Sequence, residues 1–181
     1  YNPTEAGSRF DGAGSKSTSV LRVLQAKGNM LRTVSQMAFW LRPSDKSGVN
    51  PAKNTTTLSN HLLKKTVTIG AHGLPHAIGY HVTFIIPPGE HHRHAVFESV
   101  TGYMPSAFSI FLTFDPKTQK LTPLTDGPGE QKYPVILSTP DKKHAMGVWS
   151  PAQGFEHVGY GRFRFKSQKV VKWNCVFRVN H

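Results

Sequence analysis

Cysteine is nearly absent. Cys175 is the only one in 181 residues, so no disulfide forms within the chain and a disulfide-stapled scaffold is excluded. Acidic residues are also scarce: 10 Asp and Glu stand against 22 Lys and Arg, a formal charge of +12. A field of that sign favours polyanionic partners (nucleic acid, acidic or sulfated polysaccharide, anionic membrane) and is silent on fold. No apolar run approaches the ~20 residues of a membrane-spanning helix. The chain opens on Tyr1 rather than Met and carries no signal peptide, so we expect an N-terminal piece to have been removed. A Walker loop, GxSxG, HExxH, paired zinc cysteines and an RNA-binding signature are all missing, which argues against the commonest nucleotide, hydrolase, zinc and RNA-binding classes.

What the chain does contain is period-two alternation. "SVLRVLQAK" and "LRTVSQMAFWLR" flank Gly28-Asn29 and predict a hairpin. "AIGYHVTFII" places Ile78, Tyr80, Val82, Phe84 and Ile86 on one face and His81 and Thr83 on the other, and Pro87-Pro88-Gly89 ends it. "FSIFLTF" alternates with Phe108, Ile110, Leu112 and Phe114 on one side. "DPKTQKL" and "TPDKK" read as tight turns between strands. In the last segment Val171, Trp173, Cys175, Phe177 and Val179 share a face, opposite Lys172, Asn174 and Arg178. Only "LSNHLLKK" is ambiguous between helix and strand. About ten strands with Gly/Pro turns predict an all-β protein, an antiparallel β-sandwich of jelly-roll or supersandwich type with little helix. Part of a β-propeller is the alternative, and the lack of a blade-length repeat counts against it. The length suits a single domain over 1–181, with 1–18 as loop or extended tail and 43–57 as a polar loop.

Candidate chemistry centres on "PPGEHHRHAVFESVTGYMP". On a strand His92 and His94 would share a face and could ligate a divalent metal, with His81 or Glu98 as a third ligand; a solvated loop explains the same residues without one, and no cofactor is otherwise implied. Glu98, among Val96, Phe97 and Val100, is a candidate semi-buried carboxylate with a raised pKa, suited to acid/base work beside Tyr103. In "LTDGPGEQKYP" a Gly-rich turn presents Glu130 and Gln131, whose paired donors and acceptors suit sugar hydroxyls, though a surface hairpin reads the same way. Trp149 is the candidate exposed aromatic platform, Tyr1 another, and Trp173 reads as core. Arg162 and Arg164, alternating with Phe163 and Phe165, form a candidate cationic stripe for anionic groups or simply keep a strand soluble. Cys175 reads as buried and not nucleophilic. Asn54-Thr55-Thr56 is a sequon whose chance occurrence is the simpler explanation.

The segments "YNPTEAGS", "GLPHAIGYHVTFIIP", "FESVTGYMP", "DGPGEQKYPVILSTPDKKHAMGVWSP" and "KWNCVFRV" resemble uncharacterised bacterial secreted carbohydrate-associated proteins, which are similar to the galactose-mutarotase-like β-sandwich superfamily. The resemblance implies a secreted, extracellular or periplasmic sandwich that binds saccharide on a concave face. It also implies acid/base work by a Glu and a His, with Glu98 or Glu130 and His76 or His81 as the matching positions. This chain is shorter than a full domain of that type. The expectation is a carbohydrate-binding or carbohydrate-processing domain for an acidic polysaccharide or oligosaccharide, with hydrolase, lyase and epimerase chemistry open. A basic nucleic-acid-binding β domain and a non-catalytic interaction module are the alternatives, and oligomeric state is open.

Overall fold

Side chains that alternate between apolar and polar bury one set by extending the backbone, and more than half of the chain does so. The structure, a computed structural model, describes residues 2–11, 17–151 and 157–180. It is all-β, with 57% of residues in strands and 2% in helix, and its sheets are curled and antiparallel. Among the described residues no helix is long and apolar enough to cross a membrane. Backbone contacts group the chain into two units, Tyr1–Glu90 and His91–His181.

The first unit holds one main sheet. Strand β1 (Pro3–Thr4) and β2 (Val20–Lys27) both pair with β3 (Met30–Phe39); a two-strand ribbon, β4 (Lys46–Ser47) with β5 (Asn50–Pro51), lies within the polar loop; β6 (Leu58–Ile69) pairs with β3 and β7 (Ile78–Ile85) with β6. The Gly28-Asn29 turn sets Lys27 opposite Met30, as the hairpin pattern predicts. "LSNHLLKK" resolves as strand: Ser59, His61 and Leu63 are buried while Asn60 and Lys64 are exposed, and the β-branched run Thr66–Ile69 extends the same element. Burial concentrates at one end of the sheet, around Met37, Ala38, Phe39 and Leu63, while most of β2 is exposed. The N-terminal segment lies along β3, with the Trp40 N–H donating to the Asn2 carbonyl and Glu5 accepting from Ser35 Oγ at 2.9 Å. Asn54 is buried, and its Nδ2 donates to the Leu41 and Thr56 carbonyls at 3.0 and 2.8 Å, which takes the acceptor nitrogen of the sequon away from the surface.

The second unit is a small sandwich. One sheet has the order β10 (Lys120–Pro123), β9 (Ile110–Asp115), β12 (Val135–Ser138), β13 (Ala145–Val148); the other has β11 (Gly129–Gln131), β14 (His157–Phe165), β15 (Val170–Asn180), β8 (His94–Pro105). Their inner faces share one core, built from Phe111, Val135, Leu137 and Val148 on one side and Met104, Tyr160, Val171, Trp173 and Cys175 on the other. Strand β9 differs from the simple alternation pattern. Its deeply buried member is Phe111, because β12 sets Leu137 opposite Phe111, and Ile110 is turned outward. The Trp173 ring packs against Gly102 of β8, which its register places directly opposite. Burial pushes the Cys175 thiol up to about 11, so it is inert as a nucleophile at neutral pH.

A Cβ at position 102 would collide with the Trp173 ring. Gly102→Ala is expected to destabilise the protein by about 1–3 kcal/mol, the usual penalty for overpacking a core. Urea unfolding followed by tryptophan fluorescence checks this, with a lower midpoint at unchanged slope as the expected result.

Candidate functional site

Strand β15 has two faces of opposite character. Val171, Trp173 and Cys175 face the core; Lys172, Asn174, Val176 and Arg178 point the other way, with Asn174 and Val176 buried and Lys172 and Arg178 partly exposed. The flanking strands complete that second face. From β8 come Glu98, Thr101 and Tyr103, from β14 Gly159, Gly161, Phe163 and Phe165, and from β11 Glu130. The structure therefore brings three predicted residues, Glu98, Tyr103 and Glu130, onto one sheet surface.

Each carboxylate there is fixed by a cation from β15. Lys172 Nζ lies 2.8 Å from Glu98 Oε1, and the Thr101 hydroxyl donates to the same oxygen. Arg178 grips Glu130 bidentately, NH1 to Oε1 at 2.8 Å and NH2 to Oε2 at 2.9 Å. The grip raises the Arg178 pKa, chiefly through its hydrogen bond to Glu130. Glycine makes this reach across β14 feasible, since a Cβ on Gly159 would strike the Glu130 carboxylate and one on Gly161 would strike the Asn174 side chain. With no Cβ at 161, Asn174 Oδ1 accepts the Gly161 N–H at 2.9 Å. One end of the face is aromatic. Tyr103 stacks against Phe165 at 6.3 Å and Phe163 against Phe165 at 6.1 Å, and Lys172 Nζ sits 5.1 Å from the Phe163 centroid and 5.5 Å from that of Tyr103.

The Glu98 carboxyl runs opposite to the raised pKa expected from its apolar neighbours in sequence. Desolvation does push it up, but hydrogen bonds from Lys172 and Thr101, the Lys172 charge and a hydrogen bond from Asn174 together outweigh it, and the pKa is lowered. Glu98 is therefore an anion at neutral pH, with no proton to give as a general acid.

The remaining candidates lie elsewhere. Gln131, Arg162 and Arg164 project from the core side of the same sheet. Arg162 donates to the Thr125 carbonyl at 2.7 Å and to Gln131 Oε1 at 2.9 Å, and Arg164 pairs with Asp126 at 2.8 Å and packs over the Phe111 ring. Their guanidiniums brace the 124–128 turn from within, and the outward partners of that alternation are Phe163 and Phe165. Trp149 follows β13 and is 66% exposed. His94 opens β8 and its Nδ1 contacts Asn180 Oδ1, whereas His92 lies in the preceding loop, so strand periodicity does not set the two rings side by side. His76 lies in the turn before β7 and His81 on β7, both exposed, both in the first unit. Tyr1 lies outside the described residues.

Sequence reasoning missed Lys172, Asn174 and Arg178 as site residues, although their shared face was legible. The available signal was an amide and two cations alternating with core residues in one strand, opposite a strand with two glycines spaced by two. It also missed the buried His61, whose Nε2 is 3.2 Å from Glu90 Oε2 in the first unit.

No protein family, curated protein or solved structure matches the chain. The mutarotase-like resemblance therefore rests on the quoted segments alone.

Because the folded-state pKa of Glu98 is lowered, its interactions stabilise the protein fully above the ordinary carboxylate range, and that contribution is lost as pH falls through the lowered value. Glu98 is well exposed, so the effect is small, about 1 kcal/mol or less. Glu98→Gln is expected to lower the urea midpoint at pH 7 and to leave it unchanged at pH values where the wild-type carboxyl is protonated; parallel titrations of the two proteins check this.

Proposed function

We propose that the face of the β11–β14–β15–β8 sheet turned away from the core binds a saccharide and does so without chemical turnover. The observation that carries this reading is the pairing of Glu98 with Lys172 and of Glu130 with Arg178 on one surface, beside an exposed Tyr103, with the buried Asn174 side chain helping to hold Glu98. Carboxylates and cations held rigidly by one another offer the fixed acceptors and donors that sugar hydroxyls need, and a flat ring beside them suits the apolar face of a pyranose. Pre-oriented groups also lose little entropy on binding.

The charge balance favours a neutral sugar over an acidic one. Two carboxylates and two cations cancel across the surface, while Arg162 and Arg164, the residues expected to clamp an anion, donate to internal acceptors. An anionic Glu98 supports binding over hydrolysis, which needs one protonated carboxyl. The sequence resemblance to secreted carbohydrate-associated proteins points to the same ligand class.

Thermal-shift and calorimetric titrations with neutral and acidic oligosaccharides, at low and high salt, test the proposal. A neutral oligosaccharide is expected to raise the unfolding midpoint, with the shift surviving high salt, since a ligand that binds only the native state must stabilise it. Tyr103→Ala and Glu98→Gln should each weaken binding about tenfold, roughly the worth of one stacking or charge-assisted contact. A panel in which no glycan shifts the midpoint, or in which only polyanions do and high salt abolishes the effect, would overturn it.

A further inference from the structure

The main sheet of the first unit has a turn end that presents aliphatic side chains to water. There the Gly28-Asn29 turn and the longer turn at 70–77 lie side by side. Asn29 Nδ2 donates to the Ile69 carbonyl at 2.6 Å, and the Ile69 N–H donates to the Asn29 carbonyl at 3.0 Å. Ile69 and Leu74 are each 61% exposed and Ile78, opposite Ile69 in register, is 54% exposed. Two residues further along the same face come Leu31 and Tyr80, both exposed, in one cross-strand row with Val67.

The charge of this element is one-sided. All ten acidic residues of the chain lie outside residues 20–39 and 58–89, which contain Arg22, Lys27, Arg32, Lys64 and Lys65. Lys65 is paired with Glu5, at 2.6 Å. Lys27 and Arg32 project from the face opposite Leu31, Lys27 from the row next to the turn, and among the described residues no carboxylate pairs with either.

We propose that this turn end docks tip-first on an anionic phospholipid bilayer. Ile69, Leu74 and Ile78 enter the headgroup–acyl boundary, and Lys27 and Arg32 meet the anionic headgroups. Interfacial insertion reaches about 5–10 Å, which is two or three residues of strand at about 3.3 Å each. That depth brings Lys27 to the headgroups, and the long Arg32 side chain reaches the same layer along the sheet.

Other occupants fit less well. In a dimer through this end, two acid-free cationic elements would face each other and repel. A nucleic acid would meet the cations, but the exposed hydrophobic side chains nearest the turn, Ile69, Leu74 and Ile78, are aliphatic and give its bases no ring to stack on. This docking is independent of the saccharide proposal, because it uses none of the same residues.

The test is co-sedimentation of the full chain with vesicles of phosphatidylcholine alone and of phosphatidylcholine rich in phosphatidylserine. Binding is expected only to the anionic vesicles. Lys27→Gln and Arg32→Gln should each weaken it about fivefold, the effect of one cation near such a surface. Leu74→Ser with Ile78→Ser should abolish the part of binding that survives high salt. Leu74→Cys labelled with an environment-sensitive dye gives a second readout, since Cys175 is buried; its emission should rise with anionic vesicles. The proposal is overturned by equal binding to both vesicle types or by binding to neither. It is also overturned if single-stranded DNA displaces the vesicles while Leu74→Ser has no effect, or if Leu74→Ser converts a dimer to a monomer.

Discussion

Strand β15 must satisfy two environments with one stretch of chain, and the second unit is organised by that requirement. Its pairing with β14 on one edge and β8 on the other fixes a register in which every odd position from 171 to 175 enters the core. Once Val171, Trp173 and Cys175 are committed inward, Lys172, Asn174 and Arg178 have nowhere to go but the opposite surface. Slipping the register by one residue would bury two cations without partners and expose an indole, so core and candidate site are specified by the same hydrogen-bond ladder.

The neighbours of β15 are shaped by what it projects. Glycine at 102 leaves room for the indole on the inner side; glycines at 159 and 161 leave room for Glu130 and Asn174 on the outer side. Small residues on β8 and β14 are therefore the counterpart of large ones on β15 and β11. The two carboxylates differ in how they are held. Glu98 is met by Lys172, Thr101 and Asn174, whereas Glu130 is gripped through both carboxylate oxygens by a guanidinium two strands away.

Strand existence, the Gly28-Asn29 hairpin, the turns at Asp115 and Asp141, and the inward set of β15 were readable from alternation and turn chemistry, because each depends on residues adjacent in sequence. The buried side of β9 was not readable: in a run as apolar as "FSIFLTF" both faces qualify, and the choice falls to the opposing strand, where Leu137 selects Phe111. The orientation of the Arg162–Phe163–Arg164–Phe165 stripe failed for a related reason. A guanidinium ordinarily faces water, but internal carbonyls and Asp126 supply acceptors on the core side. The pKa of Glu98 was misjudged because its flanking residues are apolar while its strongest partner, Lys172, arrives from a strand more than seventy positions later in the chain, and the nearby Thr101 was not read as a donor to it.

The lone cysteine gives the second unit a reporter of its own breathing. Cys175 is buried in the sandwich core with its thiol pushed up to about 11, so an alkylating reagent in neutral buffer finds almost no thiolate and no path to it while the sheets remain packed. Modification must wait for an opening that separates the two sheets, and its rate therefore measures how often that opening occurs. For the same reason, native molecules in air should stay free of intermolecular disulfide crosslinks, and covalent dimers in a stored sample would count the molecules that have opened.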